Sequence, residues 1–152
     1  MKPLSAEWVA KAEGDFASAQ RELSARKAPN FDAACFHAQQ CAEKYLKARL
    51  QEAGIQFGRS HHLTVLLDLA LPFVPLWEAC RTDLVVLTAY AVEFRYPGES
   101  ADRPLAKEAV ARATSFRKLA RASLGLPEDQ PQKSKQLATK NTKNTKKARE
   151  RP

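Results

Sequence analysis

Apolar residues recur at intervals of three and four along five stretches of this chain, and proline or glycine stands between the stretches. A period near 3.6 turns one face of each stretch toward a core, whereas a half-buried strand would need a period of two. With only five Gly in 152 residues, little of the sequence suits the tight turns of a β-meander. The spacing predicts an all-α protein: an up-and-down antiparallel bundle of about five helices, near 5–26, 30–53, 60–71, 75–95 and 102–124.

The punctuation supports each span. Ser5 is expected to cap the first helix, with Glu7 in its first turn. Trp8, Ala12, Phe16, Ala19 and Leu23 follow at spacings of 4, 4, 3 and 4, and Pro29 closes the segment. Asn30 is the expected cap of the second helix, and Gly54 its C′ residue. Phe31, Ala34, Cys35, Ala38, Cys41, Ala42, Tyr45, Leu46 and Leu50 give that helix a wide apolar surface, as befits the centre of a bundle. Ser60 is expected to cap a short third helix carrying Leu63, Leu66, Leu67 and Ala70, stopped by Pro72. The fourth begins at Pro75 and buries Trp77, Cys80, Leu84, Leu87, Ala91 and Phe94. The fifth begins near Asp102, buries Leu105, Ala109, Ala113, Phe116 and Ala120, and ends at Gly125 and Pro127. Leu4, Val9, Val85 and Val86 lie off these stripes, and this surplus apolar surface is expected to serve a twofold interface.

Charge divides the chain. Residues 127–152 hold 8 Lys/Arg against 3 Asp/Glu, whereas residues 1–126 hold 17 against 14. The overall +8 and the pI of 9.6 therefore belong largely to the end of the chain. Residues 1–126 read as one helical unit, and 127–152 as a disordered basic tail able to make weak contact with nucleic acid. No run approaches the ~18 apolar residues of a membrane span, so no membrane association is expected. The first residues lack the pattern of a secretory signal, and an odd count of three Cys argues against a disulfide framework. A cytoplasmic location with reduced thiols follows as the expectation.

The polar residues of the second helix are ordered: His37, Gln40, Lys44, Lys47 and Gln51 fall at spacings of 3, 4, 3 and 4. His37 and Cys41 are four apart on one face, but two ligands do not make a metal centre. No CxxC or HExxH occurs, so no metal is expected and Cys35, Cys41 and Cys80 read as core thiols. No glycine-rich phosphate loop is present either, so no cofactor of that kind is expected. An anionic ligand would have to be held by side chains and helix N-termini. The candidates are Lys44 and Lys47, Arg59 with His61 and His62, and Arg95, supported by Glu43. Arg95 stands between Phe94 and Tyr96, where a guanidinium can stack as well as bind.

Three segments carry a family resemblance. Ala42-Glu43-Lys44-Tyr45-Leu46-Lys47-Ala48 resembles the AEKxLKA signature on the second helix of HEPN domains, the higher eukaryotes and prokaryotes nucleotide-binding domain. Ser60-His61-His62-Leu63, followed by Leu66-Leu67, is similar to their THDL…LL segment, with His62 where Asp is usual. Arg95-Tyr96-Pro97 resembles their RYP segment after the fourth helix. The resemblance covers roughly residues 5–125 and agrees with the five-helix reading.

The resemblance implies a bundle that commonly forms homodimers, is often paired with a small nucleotidyltransferase in toxin–antitoxin-like systems, and binds nucleotides or nucleic acid. Ribonuclease members carry Arg, four to six residues, then His. Here the only histidines are His37, His61 and His62, and no Arg precedes one of them at that spacing. The expected function is thus a non-catalytic, nucleotide-binding partner of a nucleotidyltransferase, with Lys44, Lys47, His61 and Arg95 as its phosphate-binding residues and Glu43 and Arg59 in support. One alternative is an RNA-cleaving or RNA-binding protein with a composite site of His61 and Arg95. The other is a helical interaction or scaffold module.

Overall fold

The computed structural model describes residues 1–129. The helices are α1 (Pro3–Ser24), α2 (Phe31–Ala53), α3 (Leu63–Ala70), α4 (Arg81–Glu93) and α5 (Arg103–Ser123), with a short 3-10 segment at Pro75–Cys80 before α4. No strand occurs among the described residues. The all-α bundle expected from the periodicity is the observed architecture. The basic tail expected from residue 127 onward lies, from residue 130, outside the described residues.

Helix α2 sits at the centre and packs against each of the other four α-helices, most extensively α1 and then α5. Its composition explains this, for Ala34, Cys35, Ala38, Cys41, Ala42, Tyr45, Leu46, Ala48 and Leu50 are all buried. The small residues let α1 approach closely, and Ala12 and Ala19 on α1 are fully buried. Asn30 caps α2 as expected, its Oδ1 accepting from the Ala33 N–H at 2.9 Å. Gly54 ends it at φ 74°, a left-handed conformation that disfavours other residues, and its N–H returns to Gln51 and Leu50 carbonyls. Asp102 caps α5 through the Leu105 N–H at 2.9 Å.

Four local expectations are corrected. Ser5 does not cap α1: Pro3 opens the helix, Lys2 is its N-cap residue, and Ser5 is buried within the first turn. The Lys2 N–H is instead tied to Glu52 Oε2 at 3.0 Å, anchoring the entry of α1 to the end of α2. Ser60 does not cap α3, which starts at Leu63 with His62 in the cap position. The predicted fourth helix is two pieces, because Trp77 and Cys80 both face the core; residues three apart eclipse in a 3-10 turn. Val9 is buried in the main core and so offers no surface to a partner, whereas Leu4 and Val85 are exposed.

Candidate functional site

The first half of α2, the residues entering α3 and the end of α4 enclose a cleft of about 420 Å³. Phe36, Gln39, Gln40 and Glu43 line it from α2, His61 and His62 from the approach to α3. Thr88, Ala91 and Val92 close it from α4, and Arg95 stands at its mouth.

Each polar group is placed by packing. Past Glu93 the chain keeps one more turn, with the Arg95 N–H reaching the Val92 carbonyl at 3.4 Å. Phe94 turns inward and is buried, so Arg95 turns outward and is exposed. Its guanidinium carbon lies 5.7 Å from the centre of the Phe36 ring. The stacking partner is therefore an aromatic of α2, in place of the flanking Phe94 and Tyr96 that adjacency suggested. A guanidinium held by one face against a ring still presents its N–H edge to an anion.

Glu43 forms the floor at 2% exposure. A carboxylate that deep must be paired, and this one is. Oε2 accepts from Lys47 Nζ at 3.3 Å and lies 3.3 Å from His61 Nδ1, while Oε1 accepts from Gln39 Nε2 at 3.4 Å. Gln40 Nε2 donates in turn to Gln39 Oε1 at 2.8 Å. The Lys47 ammonium is buried as well, 5.3 Å from the Trp8 ring centre and 5.8 Å from that of Phe57. Behind the cleft wall, Lys47 has a carboxylate on one side and two π-faces on the other.

Of the six residues singled out by sequence, Glu43, His61 and Arg95 meet in this cleft, and Lys47 reaches it only through Glu43. Lys44 and Arg59 do not join them. Lys44 Nζ donates to Asp15 Oδ2 at 2.5 Å, and His37 Nδ1 lies 2.8 Å from Oδ1 of the same carboxylate. Asp15 is buried in the α1–α2 seam, and these two side chains neutralise it there. Arg59 is exposed in the turn ahead of α3. Sequence reasoning had His62 beside His61 and Gln40 in the polar row of α2, but missed Phe36 and Gln39 of the wall. For Phe36 a signal was available: Phe36, Gln40, Glu43 and Lys47 fall at spacings of 4, 3 and 4, a row that shares Gln40 and Lys47 with the one that was chosen.

A second polar cluster lies between α1 and α5. Arg117 is 7% exposed and stacks on Phe16 at 4.5 Å. It donates to both Glu13 oxygens and both Asp129 oxygens, and Arg121 reaches Glu13 at 3.2 Å. Burial works to raise the Glu13 carboxyl, but hydrogen bonds from Arg117 and Tyr45 hold it below the usual carboxylate range. A cavity of about 360 Å³ opens beside these residues. Its two buried-side arginines are already engaged by carboxylates of the same chain, so the cluster reads as a structural clasp on residues 127–129.

No group of three His, Cys, Asp or Glu stands close enough to hold a metal among the described residues. His37 is committed to Asp15, and Cys41 is buried with its thiol pushed far above its ordinary range. Burial also raises Cys35, to about 11. These thiols stay protonated and pack as small apolar groups. No helix among the described residues is long and apolar enough to cross a membrane.

A family model described as the HEPN domain matches residues 5–123. The chain is also similar to the crystal structure of an archaeal HEPN homologue, with 26% identity and a TM-score of 0.59. That match covers 80% of this chain and 98% of the archaeal one. No curated protein matches it.

Proposed function

The chain belongs to the HEPN domain family, and from that premise we propose that it is a nucleotide-binding HEPN protein that does not itself catalyse. In this reading the 1–126 unit acts in the cytoplasm as the dimeric partner of a small nucleotidyltransferase, as the toxin–antitoxin-like members of the family do. The observation that carries the reading is the cleft: it joins a ring-stacked guanidinium with no carboxylate partner among the described residues, two imidazoles and an apolar wall of Phe36, Ala91 and Val92. A phosphate on Arg95 with a base against the apolar wall is the ligand that such a lining fits. The absence of Arg followed at four to six residues by His supports the non-catalytic part. Arg95→Ala should weaken nucleotide binding by about 1.5–3 kcal/mol in calorimetry, the scale of a charge-assisted hydrogen bond. Equal affinity in parent and variant would remove the cleft from consideration and leave the scaffold reading.

One observation supports the RNA-directed alternative, namely that His61 and Arg95 line the same cleft. Cleavage of a short RNA by the parent, lost in His61→Ala, would replace the non-catalytic reading.

Dimerisation is supported by α4. Val85, Ala89 and Val92 fall at spacings of 4 and 3 and are all exposed, as is Tyr96 beyond the helix end at 64%. An exposed apolar row on an edge helix is suited to an isologous contact. Light scattering at micromolar concentration should give twice the 16.9 kDa chain mass, and Val85→Lys should return it to the monomer value. A parent that stays monomeric over a tenfold concentration range would end the dimer proposal.

A further inference from the structure

We propose that each cleft is built for a ligand presenting a single phosphate, a nucleoside monophosphate or one phosphodiester of an RNA strand, and discriminates against di- and triphosphates. The inference rests on the nucleotide reading above and narrows it.

Four cations stand on the residues that sequence assigned to phosphate, at Lys44, Lys47, Arg59 and Arg95. Arg59 is exposed in the turn ahead of α3 and is not among the residues that line the cleft. Lys44 is held by Asp15 on the α1 side. Lys47 has a side chain only 5% exposed, is ion-paired to Glu43, and lies against Trp8 and Phe57, so its ammonium cannot swing out to a ligand. Arg95 alone among the described cleft residues offers a cation without a carboxylate partner. One planar fork matches one phosphate. A terminal phosphate carries about −1.5 to −2 charges at neutral pH, so each added phosphate needs a further positive group. Here it would meet no further free cation among the described lining residues, only the Gln39–Gln40 amides and a Glu43 carboxylate already paired with Lys47. Glu43 is the one carboxylate among the described lining residues, and its pairing with Lys47 leaves no free carboxylate there to hold a divalent cation that bridges two phosphates.

The test is calorimetry on the full chain at pH 8, above the range in which histidine ordinarily titrates, with AMP, ADP, ATP and the dinucleotide ApA. AMP should bind more tightly than ADP and ATP. Equal binding of ApA and AMP assigns the phosphodiester as an acceptable source; AMP alone assigns the free nucleotide. Gln40→Lys places a second cation beside Glu43 on an already half-buried surface position, and should raise the ATP-to-AMP affinity ratio about tenfold. ATP binding as tight as AMP or tighter in the parent, weakened in Arg95→Ala, would overturn the inference and leave the nucleotide reading standing. Binding of none of the four ligands would overturn both.

Discussion

Trp77→Ala should lower the unfolding free energy by about 3–5 kcal/mol in a urea titration. Trp77 is 4% exposed, although it sits on a six-residue 3-10 segment rather than on one of the long helices. Its ring meets the fully buried Phe116 of α5 edge-on, 5.2 Å between centroids and 78° between planes. Removing the indole opens a void between α5 and the segment that leads into α4, and close-packed neighbours collapse into such a void only in part. Phe116→Ala should cost a similar amount, and the double variant should fall short of the sum by the 0.5–1.5 kcal/mol typical of an aromatic pair. A loss below about 1 kcal/mol for Trp77→Ala would mean that the 3-10 segment detaches without consequence for the core. Residues 75–80 would then be a cover, not a structural element.

How legible this was in the sequence depends on what each residue answers to. Trp77, Phe16, Ala12, Leu84 and Phe116 answer to one demand, exclusion from water, and periodicity finds them because a helix repeats that demand every three or four residues. Asn30, Gly54 and Asp102 answer to the geometry of a helix end a few residues away, and they too were readable. Ser5 and Ser60 failed because Pro3 and His62 set the actual starts, and a serine near a helix start is only one candidate among several. Val9 failed because α1 is flanked closely enough by α2 to bury a second row.

The site residues show a sharper limit. His37, Gln40, Lys44 and Lys47 form one row by spacing, yet the structure divides it. His37 and Lys44 turn to Asp15 on α1, while Gln40 points into the cleft and Lys47 binds Glu43. A helix face a few residues wide borders two neighbours, and spacing along one helix carries no information about where the boundary between them falls. That boundary depends on Asp15, a residue 29 positions before Lys44. Similarly, the flanking aromatics suggested a stack for Arg95, but its true partner, Phe36, is supplied by another helix.

Lys47→Met should destabilise the protein by about 3–5 kcal/mol, the usual cost of stranding one member of a buried ion pair. Lys47 and Glu43 have side chains only 5% and 3% exposed, and they are one turn apart on α2. Methionine keeps an unbranched stem between Trp8 and Phe57, so the loss reports the charge more than the packing. What remains is a carboxylate with one amide donor and His61, whose side chain is 76% exposed and surrounded by water. The double variant Glu43→Met/Lys47→Met removes both charges together. A buried pair replaced by apolar side chains of like volume is often neutral or stabilising, so the double variant should recover most of the loss, within about 1 kcal/mol of the parent. The recovered protein then separates stability from recognition. Glu43 and Lys47 leave together, so the net charge of the cleft wall is unchanged, and the variant should keep Arg95 as its anchor and the parent's order of ligands. A single variant that loses less than about 1 kcal/mol would show that water reaches the pair. Lys47 would then be free to serve a ligand, and the count of one available cation would no longer hold.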